Sequence, residues 1–251
     1  MKYIKSFVLV AFIFFSSCSS NEEGKNDSIW GAKPRFTANF VFIDITNDEK
    51  TDEILSEVQI QQLVKSIGWL KGGNVFNGAI FRVFPLSNLG QTKSIDIEMK
   101  MGVTGLNGQP SIARKRDIDN FVSKSLRPEI KKYIAELDLG KTESEIYSNL
   151  CRQITNLSKL SADKKNVLIF SDMLENSSLF SFYGNEVSIA DFQRAEKTCP
   201  FPDLTDINIY VVPPVNVENK LLIGKSEKQW SNFFASKNAK SFHFDINLNI
   251  E

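Results

Sequence analysis

The sequence predicts an α/β layered domain built on a mostly parallel β-sheet. Short apolar, β-branched runs alternate along the chain with segments whose apolar residues recur at helical spacing, the pattern of strands joined by crossover helices. The stretch "NVLIFSDMLENS", Asn166 to Ser177, is apolar at every position from Val167 to Phe170, as a strand covered on both faces requires. It then runs straight into Ser171 and Asp172, so a buried strand ends on a carboxylate.

The elements follow in order. "TANFVFID" (Thr37–Asp44) is the first strand and "TNDEKTD" a polar loop. From Glu53 to Leu70, residues Ile54, Val58, Ile60, Leu63, Val64 and Ile67 have helical spacing, and Gly72-Gly73 ends the helix. "GAIFRVFPL" (Gly78–Leu86) is a second strand. "KSIDIEMKM" (Lys93–Met101) alternates, with Ile95, Ile97, Met99 and Met101 on one side, and reads as a half-exposed strand. Ser111 to Leu137 reads as a long charged helix that Pro128 bends or splits, with Arg114, Lys115 and Arg116 on a solvated face. Glu143 to Leu160 is a helix with a stripe of Ile146, Leu150, Ile154 and Leu157. The strand Asn166–Phe170, a segment rich in loop signals, the strand at Ile207, the helix Ser226–Asn238 and a last strand from Ser241 complete the chain.

Composition narrows the function. The 251 residues suffice for one large domain, and formal charge is zero, against a protein that binds nucleic acid by neutralising phosphates. The single histidine, His243, has no nucleophile motif near it, so it reads as a structural or surface residue and not as a catalytic or zinc-binding one. "LKGGNVFNG" has glycines but not the spacing of a phosphate-binding loop.

The N-terminus reads as a targeting segment. Lys2 and Lys5 precede an apolar run, Phe7–Phe15, too short to span a bilayer as a helix. "FSSC" then ends on Cys18. This resembles a bacterial lipoprotein signal peptide, with Phe15 where Leu is usual. The resemblance implies residues 1–17 as the signal, cleavage before Cys18, and acyl chains on Cys18 that hold the protein on a membrane. The other reading is an ordinary cleaved signal with an incidental cysteine. Residues 18–35 form a polar tether, and "NEEGKNDS" within it resembles a surface-export signal of Bacteroidota lipoproteins. The expected place is the bacterial cell envelope, on the outer membrane, either periplasmic or surface-exposed. Cys151 and Cys199 would mature in an oxidising space, which leaves a disulfide or two buried thiols.

Ligand sites in parallel sheets lie at the carboxyl ends of strands. There the chain places Asp44, Thr46 and Asp48 after the first strand, Thr142 and Ser144 before the helix at residue 145, and Ser171 and Asp172 after "VLIF". These are hard oxygen donors suited to Mg²⁺, Mn²⁺ or Ca²⁺. With this set and this element order, residues 36–251 resemble a von Willebrand factor type A (VWA) domain. That family's metal-ion-dependent adhesion site carries Asp-x-Ser-x-Ser, a loop Thr and a fourth-strand Asp. The resemblance implies a Rossmann-like three-layer sandwich with one antiparallel edge strand. It implies a metal site of Asp44, Thr46, Asp48, Ser144 and Asp172, with Asp48 standing where the family has Ser and "SDM" where it often has "TDG". It also implies a protein partner bound at that face, and no enzymatic activity. Two alternatives stand beside it: a metal-dependent phosphohydrolase, and a metal-free envelope protein in which Asp44 and Asp172 only cap loops.

Overall fold

The computed structural model describes residues 35–44, 76–86, 93–100, 112–136, 144–184, 186–213 and 220–245. The expected signal, the tether up to residue 34 and the first helix, together with Cys18, Thr46, Asp48 and Thr142, lie outside the described residues, while Arg35, expected to end the tether, opens the first strand.

Six strands form one sheet: β1 (Arg35–Asp44), β2 (Phe76–Leu86), β3 (Ile95–Met99), β4 (Lys164–Phe170), β5 (Ile207–Val212) and β6 (Ser241–Phe244). Their order is β3-β2-β1-β4-β5-β6. Every pairing is parallel except that of β3, an antiparallel edge against β2. This is the expected α/β sandwich with a mostly parallel sheet and one antiparallel edge strand.

The period-two geometry of strands divides the core. Phe40, Phe42, Val167, Ile169, Ile209 and Val211 face one way. They meet α3 (Ile146–Ser158), α4 (Ile189–Glu196) and α5 (Lys220–Ser236). Val41, Ile43, Leu168, Phe170, Tyr210 and Val212 face the other way, against Leu126, Ile130, Tyr133 and Ile134. Those four residues belong to a helical run made of α1 (Ile112–Phe121), a π-helical turn (Val122–Leu126) and α2 (Arg127–Ala135). Pro128 does split the long helix, but one step earlier than the ring itself. It occupies the first turn of α2, and the widened turn before it closes with the Arg127 N–H donating to the Val122 carbonyl. A proline has no N–H and its ring crowds the preceding turn, so the ladder loosens there.

Most element ends lie within three residues of the sequence expectation, and two departures are larger. α4 sits within the segment read as loop, opened by a capping box in which Ser188 and Asp191 bond each other's backbone N–H groups. α5 begins at Lys220, because Gly224 is absorbed into the helix without ending it.

α3 buries the expected stripe of Ile146, Leu150, Ile154 and Leu157. It adds Tyr147, whose ring meets Phe201 at 5.2 Å and Phe233 at 5.7 Å between centroids. Cys151 of α3 is disulfide-bonded to Cys199, with Cα atoms 6.2 Å apart. The Tyr147 hydroxyl donates to the Cys199 carbonyl at 2.9 Å, so the bridge and the aromatic cluster fasten the same two segments.

A line of polar side chains crosses the opposite face near the amino ends of the strands. The Asn166 amide donates to Asn39 Oδ1 at 2.8 Å. The Asn208 amide donates to Asn166 Oδ1 at 3.2 Å, and the Ser241 hydroxyl donates to Asn208 Oδ1 at 3.1 Å. His243 is exposed and stacks on Tyr210, with centroids 5.2 Å apart.

Candidate functional site

β1 and β4 are neighbours, with Ile43 opposite Phe170. Their carboxyl ends therefore deliver Asp44 and the Ser171-Asp172 pair to one edge of the sheet. The Ser171 hydroxyl donates to Asp44 Oδ2 at 2.7 Å and accepts the Met173 N–H at 2.9 Å. Asp172 turns the chain by accepting the Leu174 N–H at 2.9 Å, an Asx-type turn. Burial, and then the nearby charge of Asp44, push the Asp172 carboxyl up to about 6. The charge of one carboxylate is thus felt by the other, and either a proton or a cation relieves the repulsion.

The loop after Asp172 is held from below. Met173 is fully buried and takes a left-handed backbone, φ 58°, at the position where the resembled motif often carries Gly. A non-glycine residue there costs about 1 kcal/mol or more. The conformation is kept because the Met173 carbonyl is gripped by α5, accepting the Ser226 hydroxyl at 2.7 Å and the Trp230 indole N–H at 3.0 Å.

Ser144 reaches the same loop. Its backbone forms a two-bond bridge with Asn176, at 3.2 and 3.0 Å. Ser144 is buried, and its hydroxyl oxygen has no hydrogen-bond partner among the described residues. Glu175, one residue earlier, is fully buried and caps α3 by accepting the Tyr147 N–H at 2.7 Å. Burial pushes the Glu175 carboxyl up to about 8. The Ser177 hydroxyl and the helix N–H groups of Tyr147 and Ile146 oppose the rise, and the charge of Glu145 adds a little to it. Its Oε1 atom makes no hydrogen bond among the described residues.

Of the expected site residues, then, Asp44 and Asp172 converge and Ser144 is tied to the Asp172 loop, while Thr46 and Asp48 lie outside the described residues. Among the described residues no three His, Cys, Asp or Glu side chains cluster as metal ligands do. The described donors are instead two carboxylates and hydroxyls. All are hard oxygens, and one of them, Ser144 Oγ, is buried without a hydrogen-bond partner among the described residues. That set fits a hard divalent cation that keeps several waters, such as Mg²⁺ or Mn²⁺. Sequence reasoning missed Glu175 and Met173. A glutamate in a polar-looking loop carries no signal of burial, and a methionine none of a left-handed backbone.

The fold and this edge define an α/β sandwich with an acidic, oxygen-rich pair at the carboxyl end of its two central strands. No protein-family model matches the sequence, and no curated protein matches it. Solved structures are similar to the chain at low identity. The chain is similar to the PilB minor pilin of Streptococcus sanguinis, at 12% identity and TM-score 0.44, covering 87% of this chain and 59% of that one. It is similar to a manganese-loaded TRAP protein of Plasmodium vivax, at 12% identity and TM-score 0.38, covering 82% and 74%. It is also similar to the human COPII-coat protein Sec24c, at 14% identity and TM-score 0.39, covering 87% and 30%. The chain thus spans less than two thirds of the pilin's length.

Proposed function

We propose that this chain is a membrane-anchored, VWA-like binding module of the bacterial cell envelope that recruits a protein partner through the carboxyl end of its sheet. It is not an enzyme on this reading. The observation that carries the proposal is the convergence of Asp44 and Asp172 at the ends of adjacent strands, with the proton affinity of Asp172 raised by burial and by its neighbour. Two half-buried carboxylates at neighbouring strand ends are stabilised in their charged form by a cation.

Asp44 and Asp172, with Thr46, Asp48 and Ser144, would hold a divalent ion, Mg²⁺ or else Mn²⁺ or Ca²⁺. When bound, the ion supplies a positive centre to which a partner's oxygen can be attracted. The chain's own residues do the rest. Ser171 orients Asp44, and the Asx turn fixes the Asp172 carboxylate through the Leu174 N–H. The α5 grip on the Met173 carbonyl keeps the loop from relaxing. Anchoring through Cys18 at the outer membrane is supported by the signal-like N-terminus.

The test is a melting curve of wild type and Asp172→Ala against rising Mg²⁺, Mn²⁺ and Ca²⁺. Saturation at a hundredfold excess over Kd stabilises by about 2.7 kcal/mol. The wild type is expected to rise and the variant to stay flat. A flat wild type up to tens of millimolar would favour the reading in which both carboxylates only cap loops.

A further inference from the structure

β6 closes the order β3-β2-β1-β4-β5-β6, with β5 on one side and no described strand on the other. Main-chain groups of a strand point alternately to its two sides. The Asp245 N–H donates to the Val211 carbonyl at 3.1 Å, and Val211 lies opposite Phe244. His243 and Asp245 therefore turn their main-chain groups toward β5, and Phe242 and Phe244 turn theirs outward. Both phenylalanine side chains are half-buried on the face that carries Phe234, with the Phe242 and Phe234 centroids 5.4 Å apart. His243, on the other face, is exposed.

The two edges of the sheet differ. β3 alternates its apolar residues with Asp96 and Glu98, both exposed, and charges of this kind hold off a further strand. β6 has no lysine, carboxylate or proline within it and pairs with β5 in unbroken register. Its outer side fits a second copy of itself. In antiparallel pairing about His243, Phe242 of one copy meets Phe244 of the other. Both face outward, so they exchange N–H···O=C bonds as a hydrogen-bonded pair, and ring lies against ring. His243 meets His243 as a non-bonded pair, with Cα atoms about 4.5 Å apart. Ser241 meets Asp245, so no like charges are opposed. The same operation on β3 about Ile97 sets Asp96 against Glu98, which is destabilising.

We propose that two copies of this chain associate through β6, by antiparallel pairing about His243 that joins their sheets into one. The contact is isologous, so it uses the same edge of both copies and closes at two. β5 separates it from β4, so it goes beyond the binding-module reading and does not depend on it. β6 is 4 residues long, which makes the contact small and its affinity micromolar, not nanomolar.

The test uses the full chain carrying Cys18→Ser, so that neither an acyl chain nor a third cysteine joins two copies; Cys151 and Cys199 are already bonded to each other. One cysteine is then introduced, His243→Cys or Ser241→Cys. Covalent dimer is read on a non-reducing gel during mild copper-phenanthroline oxidation. His243→Cys is expected to cross-link about tenfold faster or more, because its Cα meets that of the other copy within disulfide reach, while two Ser241 positions stand about 13 Å apart along the strands. Adding Phe244→Pro removes an outward N–H and leaves the ladder to β5, and is expected to slow the His243→Cys cross-link about tenfold. Circular dichroism checks that this variant folds, and Phe242→Lys, which guards the edge with a charge, replaces it otherwise. Equal rates for the two cysteines, an unchanged rate in the folded edge variant, or no cross-link at about 100 µM chain, where a micromolar contact is populated, would overturn the proposal. Cross-linking of His243→Cys to a different protein in native membranes would overturn it too, and assign the edge to that protein.

Discussion

Glu175 makes the stability of this domain depend on pH, and the dependence can be worked out in advance. Its carboxyl moves from an ordinary 4.5 when unfolded to about 8 when folded, chiefly because it is buried. Between those values the folded chain holds a proton that the unfolded chain releases. Stability is therefore fully present below pH 4.5, falls as pH rises through the window, and is level again above pH 8. Each unit is about 1.4 kcal/mol, so the loss across the window approaches 5 kcal/mol if nothing relaxes, and about 2–5 kcal/mol if water and the loop adjust. Glu175→Gln removes the titration and keeps an oxygen for the Tyr147 N–H. Guanidinium unfolding of both proteins at half-unit steps from pH 5 to 9 isolates the term. The unmatched donor of the glutamine shifts its curve by a constant, and the slope from Asp172 is common to both. The difference, wild type minus variant, is expected to fall steadily and flatten near pH 8. Parallel curves would refute the assignment, and so would a difference that grows in favour of the wild type as pH rises.

Other outcomes follow from the same description. Breaking Cys151–Cys199 by Cys199→Ser, or by reduction, opens a loop of sequence separation 48 and is expected to cost about 4 kcal/mol in the chain-entropy account, read as a fall in melting temperature. Met173→Gly relieves a left-handed backbone worth about 1 kcal/mol but empties a buried side chain worth about 2–5 kcal/mol, so chemical denaturation should show a net loss. Cys18→Ser is expected to move the protein from the membrane to the soluble fraction, with loss of the acyl mass by mass spectrometry; retention on the membrane would refute lipid anchoring.

Much of the framework was readable from pattern, because pattern records burial. Val167–Phe170 is apolar throughout, and β4 is buried on both faces. Ile97 and Met99 alternate with charges, and β3 is an edge strand with one wet side. Asp172 stood out because a carboxylate rarely follows such a strand. The rest depended on contacts that pattern does not encode. α4 is short and begins amid Ser, Gly and Asn, so only its Ser188–Asp191 box announced it. That Cys199 lies beside Cys151 is a property of the crossover, not of either residue. Glu175 is polar in type and core in place, and only the packing of the loop against α3 shows which prevails.

The row of Asn39, Asn166, Asn208 and Ser241 has a consequence at the far end of the sheet. Apolar parallel strands carry little information about their own alignment, since one valine resembles the next when two ribbons slide past each other. A slip of one residue would turn every amide to the wrong face, and a slip of two would keep the faces while carrying Asp172 about 6.6 Å along from Asp44. The hydrogen bond from Asn166 to Asn39 joins residues 127 apart in sequence and is satisfied in one alignment only. The amide row therefore acts as a vernier, and the spacing of the two aspartates is read off at the opposite end of the scale.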